Sequence, residues 1–158
     1  MYPKGFVPFI NGDVEDSFVT VGYKNQFGDW NADISQTYGY NTLAHNIGHT
    51  LNASIANKEL LGGGKGISAT AFNAGGFSFG QMTTNADVSR FFPNIASGMN
   101  VAFGAEYRRE NYQIFAGELG SCNDADGVGL GGNAGSQGFP GYQPSDAANK
   151  IATAWQPM

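Results

Sequence analysis

The stretch Gly98-Met99-Asn100-Val101-Ala102-Phe103-Gly104-Ala105-Glu106-Tyr107-Arg108-Arg109-Glu110 decides how this chain folds. Its odd positions Met99, Val101, Phe103, Ala105 and Tyr107 are apolar, whereas Asn100, Ala102, Gly104, Glu106, Arg108 and Glu110 between them are small, polar or charged. Successive side chains of a strand point to opposite faces, so this alternation predicts one strand with an apolar and a polar side. Just upstream, starting at Phe77, Met82, Thr84, Ala86 and Val88 alternate with Gln81, Thr83, Asn85, Asp87 and Ser89. Between the two, the chain reverses around Pro93-Asn94 and Ser97-Gly98, and the pair reads as a hairpin. Each strand slips phase once, between Phe79 and Met82 and between Arg109 and Tyr112, the sequence mark of a β-bulge.

An earlier hairpin has the same form. From Ser17 onward Val19, Val21 and Tyr23 alternate with Thr20, Gly22, Lys24 and Gln26. Gly28-Asp29 supplies a tight turn, after which Trp30, Ala32, Ile34, Tyr38 and Tyr40 oppose Asn31, Asp33, Ser35, Thr37 and Asn41. Residues 42–76 between the hairpins are rich in Gly, Asn, Ser and Ala. They hold one brief alternating piece, Leu51-Asn52-Ala53-Ser54-Ile55, and a flexible joint, Leu60-Leu61-Gly62-Gly63-Gly64. Residues 117–146 are looser and end in Gly135-Ser136-Gln137-Gly138-Phe139-Pro140-Gly141-Tyr142-Gln143-Pro144.

Composition agrees with strands and turns. Among 158 residues there are 24 Gly, aromatics make 13% and charged residues only 13%, the last being about half the usual share. The 8 Lys+Arg against 13 Asp+Glu give −5, which argues against a nucleic-acid binder held by phosphate contacts. No stretch approaches the ~18 uninterrupted apolar residues of a transmembrane helix. Met1-Tyr2-Pro3-Lys4 is not followed by the apolar core of a secretory signal. Cys122, the one cysteine, makes no internal disulfide.

Short turns alternating with long loops are the asymmetry of an outer-membrane barrel. The strands are also at least as long as the about 9–11 residues that cross the hydrocarbon when tilted. A soluble sandwich rarely runs strands of this length with so charged an inner face. The expected fold is therefore all-β: an antiparallel meander of about four long strands with long loops, a partial segment of a transmembrane β-barrel. The smallest bacterial single-chain barrels have about 8 strands, so four cannot close. Open edges in lipid leave backbone groups unpaired, which points to a piece of a larger barrel.

Residues 73–90 and 98–114 carry a resemblance to the barrel of TonB-dependent outer-membrane receptors. The string Ala102-Phe103-Gly104-Ala105-Glu106-Tyr107-Arg108, followed by Glu110-Asn111-Tyr112, is its most telling part. The run Gly135-Ser136-Gln137-Gly138-Phe139-Pro140-Gly141-Tyr142-Gln143-Pro144-Ser145 is similar to the loop that follows in the same family, and Thr50-Leu51-Asn52-Ala53-Ser54 also fits. The family resemblance implies a barrel of about 22 strands around an N-terminal plug. It also implies external loops that capture a scarce nutrient (siderophore, vitamin or oligosaccharide) and energy delivered by the TonB complex through a TonB box. Neither plug nor TonB box is visible in the sequence. Residues 1–148 are thus expected to be a partial receptor barrel of the cell outer membrane. Residues 149–158 are expected to be a non-native or truncated tail, since Lys150-Ile151-Ala152-Thr153-Ala154-Trp155-Gln156-Pro157-Met158 does not continue as the next strand would. Expected partners are outer-membrane lipid, a small-molecule or oligosaccharide ligand and, for the full-length receptor, the TonB complex.

The site candidates follow from the faces and loops. Asp87, Glu106, Arg108 and Glu110 lie on the polar face and form an expected lumen- or plug-facing network. Phe139 and Tyr142, beside rigid Pro140, are candidate ligand-stacking rings, with pinning of the loop to the barrel rim as the plainer alternative. His45 and His49 have helical metal-ligand spacing but sit among Gly and Asn, and exposed loop histidines are expected. Asn123-Asp124-Ala125-Asp126-Gly127 is similar to the opening of a calcium loop without its bidentate Glu, so an Asx-rich turn is expected, with a weak Ca²⁺ contact at Asp124 and Asp126 left open. Gly62-Gly63-Gly64-Lys65-Gly66 lacks the spacing of a phosphate-binding loop. No nucleophile with a partner base is visible, so no enzyme, cofactor or resident metal is expected. The alternative function is a secreted or surface β-protein that binds glycan or calcium through its Gly/Asn-rich loops.

Overall fold

In the computed structural model, which describes residues 1–95, 97–127 and 131–157, the chain is all-β. Strands β1 (Phe9–Phe27), β2 (Trp30–Gly48), β3 (Ala71–Phe92), β4 (Met99–Ala116) and β5 (Ala148–Pro157) form an antiparallel meander in that spatial order. The sheet is open, with β1 and β5 as its edges. The β2–β3 connection holds helix α1 (Ala53–Leu61), and the β4–β5 connection holds helix α2 (Leu119–Cys122) and a 3₁₀ turn at Pro144–Asp146.

The architecture follows the expected meander, with differences. There are five strands, because residues 149–157 of the stretch not expected to continue the sheet pair, together with Ala148, as β5. Its alternation of Ile151, Thr153 and Trp155 with Ala152, Ala154 and Gln156 contrasts little, and only the pairing partner reveals it. Met158 of that stretch lies outside the described residues, as do residues 96 and 128–130. Strand β1 begins at Phe9 rather than near Ser17. In β3 the left-handed backbone falls at Gly75 (φ 77°). A Cβ on Gly75 would collide with the Phe115 carbonyl oxygen, and one on Gly76 with that of Leu43, so these glycines let β3 approach its neighbours closely.

The chain divides into two compact units, each built differently. The first comprises Met1–Glu15, Thr42–Ser78 and Gln113–Asn149 and holds both long connections. Its apolar core is small: Ile47, Phe72, Ala74 and Cys122. Around it Thr50, Asn52, Ser54, Ser121 and Ser136 are buried, and these polar groups are hydrogen-bonded to one another or to backbone.

Asn52 is the hub of that network and is fully buried. Its Oδ1 accepts from the backbone N–H groups of Ser54 (3.0 Å) and Ile55 (3.3 Å) and from the Ser54 hydroxyl (2.7 Å), which caps α1. Its Nδ2 donates to the carbonyls of Gly120 (2.9 Å) and Asn123 (3.1 Å) in the other connection. Helix α1 replaces the expected alternating piece at Leu51–Ile55. Five residues of alternation fit an N-cap and first turn equally well, and Ala53, Ala56, Lys58, Glu59, Leu60 and Leu61 favour helix. The expected joint at Gly62–Gly64 is the helix stop: Gly62 N–H donates to Lys58 O and Gly64 N–H to Glu59 O.

The second unit comprises Asp16–Asn41, Phe79–Tyr112 and Lys150–Met158 and holds the short turns β1–β2 and β3–β4. Among the described residues it contains none of the buried apolar core. Its register is fixed by contacts on the polar face: Thr20 Oγ1 to Thr37 Oγ1 at 2.9 Å, Lys24 Nζ to Asp33 Oδ2 at 2.8 Å, and Asp87 folded over Gly104.

Replacing Asn52 with Ala removes the cap and strands the Gly120 and Asn123 carbonyls. The expected cost is about 2–4 kcal/mol, read as a lowered denaturation midpoint and lost amide-exchange protection in α1. Asn52→Asp retains the cap oxygens yet faces those carbonyls with a carboxylate, so it is expected to destabilise at neutral pH as well.

Candidate functional site

The second unit presents two unlike faces, and among its described residues no second layer covers either. Tyr23 on β1, Ile34 on β2, Ala86 and Val88 on β3 and Phe103 on β4 share the apolar face and line a shallow groove of about 580 Å³. Val21 is 70% exposed, Ile34 53%, Phe103 55% and Trp155 73%. The Trp155 ring packs on Tyr107 at 4.6 Å. By the alternation, Asn25, Gln36 and Thr84 are polar members of this face. Covering a side chain such as these is worth about 1.5–3 kcal/mol each, so a contiguous exposed set marks a surface built to meet something apolar.

The opposite face carries the ions. Lys24, Asp33, Asp87, Ser89 and Asn100 line a groove of about 880 Å³ there. Of the four residues expected to form one polar network, three come together: Arg108 Nη2 lies 2.7 Å from Glu106 Oε1 and its Nη1 4.0 Å from Glu110 Oε1. Asp87 stands apart above Gly104, and among the described residues no ion pair joins it to them. The Glu106 side chain is only 14% exposed. Same-strand neighbours two residues apart share a face about 7 Å apart, close enough for the long Arg108 side chain to bridge both acids.

In the first unit Phe139 and Tyr142 meet, ring to edge at 5.7 Å, and both lie near His45, at 5.4 and 6.1 Å. Phe77 completes the group at 6.1 Å from His45. The loop is also tied by its backbone, Tyr142 N–H to Ala74 O and Gly117 N–H to Tyr142 O, both at 2.9 Å. Both rings are half-buried, which leaves part of each to solvent. His45 does not lie in a loop, because β2 runs on through Gly48. It is half-buried, and its Nδ1 is covered without a partner. His49 is exposed, with Nδ1 2.8 Å from Val7 O and its ring against Tyr2 and Phe9. His45 lies on β2 and His49 just past its end, in a left-handed bend (φ 52°), so the two do not stack on one helix turn as metal ligands would.

Asp124 and Asp126 face one another beside α1. Asp126 Oδ2 accepts from Asn57 Nδ2 (2.6 Å) and Gly132 N–H (3.1 Å). The Asn57 amide holds the Asp126 carboxyl below the usual range, and the hydrogen bond to Asp126 raises that of Asp124, so Asp124 is the member that keeps its proton to higher pH. No third His, Cys, Asp or Glu joins them in a metal-sized group among the described residues. Cys122 is buried in α2 with its Sγ near the Glu118 and Leu119 carbonyls.

Sequence reading missed one cluster altogether. Arg90 lies on the apolar face with its guanidinium 4.7 Å from the Phe92 ring centroid and 5.7 Å from that of Trp30, and its Nη2 is 2.6 Å from Asp29 Oδ2. Trp30 makes edge contacts with Phe92 (6.4 Å) and Phe103 (5.9 Å). The available signal was the even parity of Arg90 among Ala86, Val88 and Phe92, a cation where the alternation calls for an apolar residue.

No family model, curated protein or solved structure matches this chain. No helix is long and apolar enough to cross a membrane, which says nothing of crossing by strands.

The Asp pair predicts a particular acid response. The lowered Asp126 contributes stability above about pH 4 that is lost as pH falls through its depressed value, whereas the raised Asp124 favours the fold where it is protonated. Amide-exchange protection of Gly132 is therefore expected to persist just above pH 4 and fall well below it. Asp126→Asn is expected to remove that acid transition and leave the protection of β3 unchanged.

Proposed function

We propose that this chain is part of the β-barrel of a TonB-dependent outer-membrane receptor, acting in the uptake of a scarce nutrient such as a siderophore, vitamin or oligosaccharide. The observation that carries the reading is the sheet of the second unit, whose apolar side chains lie exposed on one face while ions line the other. A water-soluble sheet covers its apolar face with a second layer. A barrel wall turns that face to acyl chains and the ions to a lumen. Strand length supports it too: β2 has 19 residues and β3 has 22, well beyond the about 9–11 that span the hydrocarbon.

On this reading the lipid-exposed edges β1 and β5 are paired by further strands, because bilayer core offers unpaired backbone groups no water. The polar face, with Lys24–Asp33 and Glu106–Arg108–Glu110, faces the lumen or the plug. The long connections of the first unit are the external loops, and Phe139 and Tyr142 offer their open edges to the ligand. The work is binding and gating, with no bond chemistry, and the TonB complex acts on the full-length receptor.

A second reading, a secreted or surface β-protein binding calcium or glycan, has the Asp124–Asp126 pair in its favour. Ile34→Arg separates the two. At the middle of a lipid-facing band an arginine costs about 2–4 kcal/mol; at an exposed site in water the change stays within about 0.5 kcal/mol. The native chain is expected to fractionate with outer membranes and to need detergent for release, and the variant to lose stability in lipid by the larger amount. A freely soluble monomer indifferent to Ile34→Arg would sink the proposal.

A further inference from the structure

We infer that the Asp29–Arg90 pair, framed by Trp30 and Phe92, seats the phosphoethanolamine headgroup of a membrane lipid. The inference rests on the membrane reading above and adds a binding site and a ligand chemistry to it.

The argument starts from a cation in the wrong place. Arg90 belongs to the apolar side of β3, where a guanidinium in hydrocarbon is costly unless it reaches polar surroundings. It does so by folding over the Phe92 and Trp30 rings toward the β1–β2 turn, where Asp29 meets it at 2.6 Å. Tryptophan beside a snorkelling arginine is the side-chain chemistry of the membrane–water boundary, since each has an apolar body and a polar tip. The cluster therefore fixes the level at which acyl chains give way to headgroups.

The charges at that level come as a pair of opposite sign. The Arg90 side chain is 31% exposed and that of Asp29 72%. Nη2 is committed to Asp29 and Nε is covered without a partner, but a guanidinium carries five N–H donors, so the half-exposed Nη end retains donors beyond the ion pair. A groove of about 490 Å³ lies between Asp29, Arg90, Phe92, Pro93 and Asn94. A lone arginine would select anionic lipid. An adjoining carboxylate repels a second anion and instead accepts from an ammonium, so the pair complements a phosphate joined to a primary ammonium. The quaternary ammonium of phosphatidylcholine satisfies the charge but donates no hydrogen bond to Asp29, which makes it the discriminating competitor.

The test uses the full chain with Trp155→Phe, which leaves Trp30 as the only tryptophan, refolded into vesicles of phosphatidylcholine containing brominated phosphatidylethanolamine, phosphatidylcholine or phosphatidylglycerol. Quenching of Trp30 is expected to report an affinity for the ethanolamine lipid about five- to tenfold above the other two. Arg90→Gln and, on the exposed turn, Asp29→Asn are each expected to abolish that preference. Equal quenching by all three lipids, a preference for phosphatidylglycerol, or a preference surviving Asp29→Asn would overturn the headgroup site. Displacement by dissolved phosphoethanolamine as effective as by the lipid would assign the site to a soluble ligand and overturn it equally. Vesicle association without headgroup preference defeats this inference alone, whereas failure to associate at all defeats the membrane reading with it.

Discussion

The register of β1 on β2 constrains everything the second unit presents. Thr20 against Thr37, Gly22 under Ser35 and Lys24 against Asp33 fix the pairing. Because side chains alternate with a period of two, that pairing also sends Val21, Tyr23 and Ile34 together to the other face. A slip of one residue would exchange the faces and set these apolar groups among the ions. The exposed Lys24–Asp33 pair adds little energy in itself. Its weight lies in making the wrong register worse, with Asp87 over Gly104 continuing the same restriction on β3 and β4.

The first unit is held together by different means. Its apolar core is too small to order two long connections by burial alone, and hydrogen bonds to fully covered groups take the larger share. Asn52 caps α1 with one end of its amide and holds the β4–β5 connection with the other. Ser54, Ser121, Thr50 and Ser136 extend the network by bonding to backbone carbonyls or accepting from N–H groups. Such a network is stable only when complete, since each buried group left unpaired costs more than a finished bond returns. Loops made this way hold a fixed form, which suits the proposed role of presenting Phe139 and Tyr142 to a ligand.

Legibility in the sequence tracked the range of the interaction responsible. The hairpins at Gly28-Asp29 and Pro93–Gly98 were readable because turn and alternation lie within a few residues of one another. Helix α1 was half readable: its composition and its Gly stop are local, yet the five-residue alternation around Asn52 drew the reading toward a strand. His45 was taken for a loop residue because β2 loses its contrast beyond Asn41, where His45, Asn46 and Gly48 continue a strand that only pairing sustains. The ion ladder on β4 was visible from parity, whereas Asp87's separation from it depended on where β3 and β4 align. Arg90 went unnoticed as a site because its partner Asp29 is 61 residues away.

By itself, then, the sequence determined the strand class, the hairpin turns and the sorting of side chains into an apolar and an ionic face. All of these follow from a two-residue period that each segment carries without help. Tertiary structure decided the fifth strand, the capped helix, the seating of Phe139 and Tyr142 on His45, and the meeting of Arg90 with Asp29. Each needs a partner far along the chain, as Asn52 needs a carbonyl 68 residues on. A local pattern can offer such groups for pairing, but only the folded backbone brings their partners within hydrogen-bond reach.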